Sequence, residues 1–203
     1  MFSIIEEAGW PIWLLLVASV VGLALIIERM WYLRSGRIIP KKLLDEATAI
    51  YREQKLDEET LGKLEQNSPL GIVFASALRH TGASRNEMRN AIEETGRGVA
   101  HQLERFLTTI GTIATLSPLM GLFGTVVGMI EIFGSQSAAG TNPIQLAHGI
   151  SVALYNTGFG LLIAMPTLVF YRHFRALVDR FLVEMELQAA KLVDMAHPLR
   201  PEE

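Results

Sequence analysis

Two apolar runs, residues 106–133 and 144–171, constrain this chain more than anything else in it. A helix needs about 20 apolar residues to cross a bilayer, and each run exceeds that. A short uncharged loop, 134–143, joins them. Neither is a plain lipid-facing surface. The first carries Thr108, Thr112, Thr115, Ser117, Gly121, Gly124, Thr125 and Gly128; the second carries Gly149, Ser151, Asn156, Thr157, Gly158, Gly160 and Thr167. In hydrocarbon a polar group needs a partner helix or water. These helices therefore pack on a neighbour or line a hydrated seam.

Of the 203 residues, 50% are hydrophobic and 19% charged. The apolar excess is gathered into runs, which points to an all-α membrane protein rather than a globular one. A formal net charge of −3 gives no reason to expect nucleic acid. Without cysteine, disulfide scaffolds, zinc clusters and thiol catalysis are excluded. His80, His101, His148, His173 and His197 are scattered. No metal site, cofactor or catalytic constellation is expected, and the chain is not read as an enzyme.

In chain order, Ser3 and Glu6 fit a capping box for a short amphipathic segment, 1–9, with Phe2, Ile4 and Ile5 on the membrane surface. Residues 10–33 follow as a first span. Trp10 and Trp13 anchor it at the interface, and Pro11 suits its first turn. A cleaved signal peptide is the competing reading; the acidic start (Glu6, Glu7) and the Glu28-Arg29 ending argue against it. Residues 34–105 form a helical insertion. Pro40 opens one helix, Asp57 caps a second, Ser68-Pro69 starts a third, and the Ser84/Glu87 capping box starts a fourth. With no proline between Ser84 and Pro118, this fourth helix is expected to run straight into the second span, 106–133. Asn142-Pro143 starts the third span, 144–171. Its helical pattern continues through an extension and tail, 172–203, broken only at Pro198.

Lys and Arg set the orientation. Arg29, Arg34, Arg37, Lys41 and Lys42 follow the first span, Arg97 and Arg105 precede the second, and Arg172, Arg175 and Arg180 follow the third. The N-terminus and the 134–143 loop have none. The positive-inside rule then places the N-terminus outside, and the insertion and C-terminus in the cytoplasm.

On helical wheels, Thr108, Thr115, Pro118, Gly121, Thr125 and Gly128 read as one stripe of the second span. Gly149, Ala153, Asn156/Thr157, Gly160, Ala164 and Thr167 read as one stripe of the third. Small stripes bring membrane helices close together, and that is the reading for the glycines Gly121, Gly124, Gly128 and Gly160, with Pro118 and Pro166. Mid-span Thr125 and Thr157 are read instead as lining a hydrated path, along with Asn156, Ser151 and Thr115. Charged groups sit only near span ends: Glu28 and Arg29, Glu131, and His148. A proton relay needs a titratable group at depth. Either this chain conducts no protons, or a partner helix brings the carboxylate.

The run Ser117-Pro118-Leu119-Met120-Gly121-Leu122-Phe123-Gly124-Thr125-Val126-Val127-Gly128-Met129 closely resembles the second-span signature of the MotA/TolQ/ExbB proton-channel family. The run from Gly149 to Pro166 resembles its third-span signature, and Glu28-Arg29 is also family-like, as charges at the cytoplasmic interface. Three spans resemble the ExbB/TolQ branch, since flagellar MotA has four. The resemblance implies a homopentameric ring in the Gram-negative inner membrane, N-terminus periplasmic, with the second and third helices around a central pore. It implies an ExbD-like or TolR-like single-span partner carrying a membrane aspartate, and a TonB-like or TolA-like transducer. The family's paired pore threonines fall on Thr125 and Thr157. Many transport members have a glutamate where this chain has Val152 and an alanine where it has Asn156. The expected function is a proton-channel stator subunit powering TonB-dependent transport. The alternatives are a TolQ-like role in envelope maintenance or a non-conducting membrane scaffold.

Overall fold

The computed structural model describes residues 9–134 and 143–198. The expected N-terminal segment, nearly all of the 134–143 loop and the end of the tail lie outside the described residues. Among the described residues every regular element is a helix: α1 Pro11–Tyr32, α2 Ser35–Ile38, α3 Leu43–Arg52, α4 Glu58–Asn67, α5 Pro69–Arg79, α6 Arg85–Glu104, α7 Leu107–Gly134 and α8 Pro143–Ala196. Three helical stretches among the described residues are long and apolar enough to cross a membrane. The chain divides into two compact units, residues 1–29 with 106–173 and residues 30–105 with 174–203.

In the first unit α7 and α8 lie antiparallel. Gly128 faces Gly149 and Ala153, Gly121 faces Asn156 and Gly160, and Gly111 faces the ring of Tyr171, so each step along α7 is a step back along α8. On α1, Ile12, Leu15, Gly22 and Ile26 are buried, and Gly22 lies against Ile113 of α7. The opposite side of α1 (Trp13, Val17, Val20, Leu23, Ile27) is exposed, as a span surrounded by lipid requires.

The second unit has a core of its own. Helix α5 is central, with Leu70, Val73, Phe74, Ala77 and Leu78 buried. The Asp57 side chain accepts from Thr60 N–H, and Ser68 accepts from Gly71 N–H at 3.1 Å. Both halves of the capping box form between Ser84 and Glu87. Gly71 leaves no room for a side chain: a Cβ there would sit 2.0 Å from the Leu64 carbonyl oxygen. Arg79 forks onto Glu58 at 3.1 and 2.8 Å and also bonds Glu65, tying α5 to α4. Arg85 reaches Asp194 at 2.5 Å and the His197 carbonyl at 3.1 Å, tying α6 to the end of α8. The α8 residues Phe174, Val178, Phe181, Met185, Ala189 and Leu192 supply the rest of the buried face.

Helix α8 runs 54 residues, through Pro166, matching the unbroken pattern in the sequence. The expected continuous α6–α7 helix does not form. It is interrupted at Arg105, which has extended backbone (φ −49, ψ 137), and Phe106, at φ 63. A bulky side chain rarely takes that left-handed region, at a cost of roughly 1–2 kcal/mol, so surrounding contacts must hold it.

Candidate ion-path residues in the span bundle

The α7–α8 crossing is built on hydrogen-for-side-chain exchange. A Cβ at Gly121 would lie 2.8 Å from the Asn156 carbonyl oxygen, at Gly124 2.4 Å from Asn156 Cβ, and at Gly160 2.6 Å from the Ser117 carbonyl oxygen. Gly121 and Gly160 let the two backbones touch and Gly124 makes room for the Asn156 side chain, which is how helices gain dispersion contact where no hydrophobic drive separates protein from lipid. Gly128 is similar, 3.0 Å from the Gly149 carbonyl oxygen.

Six residues, Gly149, Ala153, Asn156, Gly160, Ala164 and Thr167, are buried on one face of α8. Their steps of three or four residues keep them in line. The α7 stripe splits. Its buried face is Leu107, Ile110, Ala114, Ser117, Gly121, Gly124 and Gly128, whereas Thr108 and Thr115 are exposed. The two successive three-residue steps from Thr115 through Pro118 to Gly121 each fall short of a turn, together rotating the face by about 120°. Pro118 and Thr125 are half-buried on the flank of the crossing. Pro166, expected to serve helix packing, is exposed and off the four-and-three register of the buried face.

The hydroxyls differ in what they bond. Thr125 Oγ1 donates to the Leu122 carbonyl at 2.6 Å, Thr115 Oγ1 to the Gly111 and Thr112 carbonyls at 3.0 Å, and Ser151 Oγ to the Ala147 carbonyl at 2.9 Å. Thr157 Oγ1, half-buried, has a long contact of 3.5 Å across to the Gly121 carbonyl. Asn156 is 0% exposed, with Nδ2 donating to the Val152 carbonyl at 2.9 Å. It sits inside the α7–α8 contact against Gly124, not on an open seam. Val152, where the family resemblance leads one to look for a glutamate, is itself buried. Residues 11–27, 107–130 and 149–170 contain no Asp, Glu, His, Lys or Arg; Glu131 and His148 are exposed at the other ends.

At the end of α1, Arg29 is 2% exposed. Its Nε and Nη2 donate to the Glu28 carboxylate at 2.5 and 2.8 Å, and its guanidinium stacks 5.3 Å from the centre of the Phe106 ring. Sequence reasoning found the Glu28-Arg29 pair but not its role. The pair braces the Phe106 turn, and nothing local in the sequence announces a left-handed phenylalanine. The seat of Tyr171 on Gly111 was likewise not foreseen.

Residues 65–187, which take in the whole α7–α8 crossing, match the MotA/TolQ/ExbB proton channel family. The chain belongs to that family. Its relatives in the MotA/TolQ/ExbB family include a putative biopolymer transport protein ExbB-like 3 of Synechocystis, 35% identical, covering 88% of this chain and 86% of that one. The biopolymer transport protein exbB1 of Vibrio cholerae is 28% identical over 89% of this chain and 82% of its own. The Tol-Pal system protein TolQ of Pseudomonas aeruginosa is 28% identical over 87% and 83%. The chain is therefore a member of a proton-channel family whose relatives carry both ExbB and TolQ names.

Proposed function

We propose that this chain is the proton-channel subunit of an inner-membrane motor, with five copies ringing a pore lined by α7 and α8. The observation that carries this reading is the pairing of mid-span hydroxyls, Thr125 and Thr157, with an apolar depth that has no acid. A proton cannot cross such a depth on hydroxyls alone, because neither takes up charge near neutral pH. An aspartate on an ExbD-like or TolR-like single span completes the relay, and the work passes to a TonB-like or TolA-like transducer. Thr125, Thr157, Ser151 and Thr115 face that span, while Asn156, Gly121, Gly124, Gly128 and Gly160 set the wall. Glu28 and Arg29 brace the cytoplasmic mouth, consistent with an N-terminus outside and a C-terminus inside. The role in TonB-dependent transport leads, and a TolQ-like role rests equally on the TolQ relative.

The test is Thr157→Val in the ring co-expressed with its single-span partner. Proton-driven function should be lost while ring assembly stays intact. Normal energised uptake in that variant would instead favour a non-conducting scaffold. Sequencing the single-span protein that co-purifies in mild detergent separates the ExbB-type from the TolQ-type role.

A further inference from the structure

Many cations of the second unit are matched within it. Arg79 pairs with Glu58 and Glu65, Arg85 with Asp194, Arg97 with Glu93, Arg175 with Glu104, and Lys63 with Glu59. Arg34, Arg37, Lys41 and Lys42 are different. No Asp or Glu occurs from residue 30 to residue 44. All four are exposed, and none forms a salt bridge to an acid among the described residues. The fold fixes them outward. Arg37 N–H and Ile38 N–H donate to the Arg34 carbonyl at 2.9 and 3.2 Å, closing a turn. The other side of that turn, Leu33, Ile38, Ile39 and Leu43, is buried.

Beside them, Trp31 is 69% exposed in the last turn of an apolar span, with Met30 also exposed. Indole at that level is the usual anchor in the headgroup layer. The Arg37 guanidinium lies 5.7 Å from the centre of the Tyr32 ring. Stacking occupies the face of the guanidinium and leaves its N–H edge to donate.

We propose that Arg34, Arg37, Lys41 and Lys42, with Trp31 beside them, form a docking surface for the phosphodiester headgroups of anionic phospholipid. A cluster of four cations directly after a span, with no acid between Met30 and Leu44 and none of the four paired to Asp45 or Glu46 among the described residues, flanked by an interfacial aromatic, matches a negatively charged leaflet in both charge and depth. Each cation at such a surface contributes roughly a fivefold preference, so the cluster separates anionic from zwitterionic lipid by well over tenfold. The inference does not depend on how protons move.

Native mass spectrometry of the full chain in mild detergent tests it, with phosphatidylglycerol or phosphatidylcholine added. The unaltered chain should retain phosphatidylglycerol over phosphatidylcholine, and high salt should erase the preference. The variant R34Q/R37Q/K41Q/K42Q should lose retention at least tenfold at unchanged helical content. The swap R34K/R37K/K41R/K42R should keep it, and serves as the reference if the glutamine variant folds poorly. Equal retention of the two lipids overturns the proposal. So does a folded glutamine variant that holds phosphatidylglycerol as before. Displacement by inorganic phosphate would show a free-anion site instead and also overturn it.

Discussion

Gly158 and Gly160 lie on the same apolar helix two residues apart, and only one of them is at the crossing. A Cβ at Gly158 meets nothing within 4 Å; a Cβ at Gly160 meets the Ser117 carbonyl oxygen at 2.6 Å and Gly121 Cα at 3.1 Å. Even a close C–H···O contact stands at about 3.3 Å, so Gly160→Ala must push α7 and α8 apart by about 0.7 Å. The obstacle is backbone, which cannot swing aside as a side chain does. A gap of that size forfeits between a quarter and a half of each dispersion contact it opens, and overpacking of this kind costs about 1–3 kcal/mol. Replacing a helical glycine by alanine returns about 1 kcal/mol of helix propensity. Gly158→Ala should therefore be neutral or stabilising by up to about 1 kcal/mol, and Gly160→Ala should fall below it by about 1–3 kcal/mol. Reversible unfolding in mixed micelles, followed by circular dichroism, measures both. If the two variants unfold together, the close backbone approach is not what holds this helix pair.

Arg29→Ala should cost about 2 kcal/mol through the lost stack on Phe106, with the lost packing of the arginine stem added to it; Arg29→Lys keeps a stem and a cation but neither the planar stack nor the fork onto Glu28, so it should restore only part, and thermal melts of the purified chain decide. In the second unit the Thr60 hydroxyl and backbone N–H hold Asp57 below its usual range, the Ser84 N–H and hydroxyl do so for Glu87, and Arg79 does so for Glu58. Depressed carboxyl pKa values stabilise the fold above the unfolded-state values, and that contribution is lost as pH falls through the folded ones. Helicity should thus hold down to about pH 5 and decline below about pH 4, with a weaker acid response in Asp57→Asn plus Glu87→Gln. Val183 and Leu187, 58% and 60% exposed, stand out of the charged part of α8. V183D/L187D should lower ring size in native mass spectrometry without unfolding the chain. Truncation after Arg180 should lower it too, but would also remove the buried Met185, Ala189 and Leu192.

The sequence made some of this legible and hid the rest for definite reasons. Caps are local, so Asp57, Ser68 and the Ser84/Glu87 box could be read from a few residues each. The α8 stripe was legible because its polar and small residues recur every three or four; on α7 the stripe drawn through Thr115, Pro118 and Gly121 takes successive threes and walks around the helix, while the buried face from Leu107 to Gly128 alternates threes and fours through mostly apolar residues. The break at Arg105–Phe106 has neither proline nor glycine to mark it. The stack of Arg29, distant in sequence, on Phe106 is a contact that only the folded bundle supplies.

How the hydroxyls are bonded separates their roles on the proposed path. A hydroxyl has one proton to give and two lone pairs to offer. Thr115, Thr125 and Ser151 give theirs to carbonyls of their own helix at 2.6–3.0 Å. They can still accept from a guest that carries a proton, but they cannot readily donate. Among the described residues the proton of Thr157 is held only by a 3.5 Å contact to Gly121, so this hydroxyl can turn and serve a carboxyl group in either protonation state. Losing a hydrogen bond to a charged group costs about 1.5–3 kcal/mol, roughly 10- to 100-fold in rate if the charged form must be stabilised at the crossing. Thr157→Val should therefore cut proton flux by that factor and Thr125→Val by clearly less, while Thr157→Ser should retain most of it. Flux measured in vesicles containing the ring and its partner span gives the order, and a larger loss at Thr125 than at Thr157 would refute the assignment.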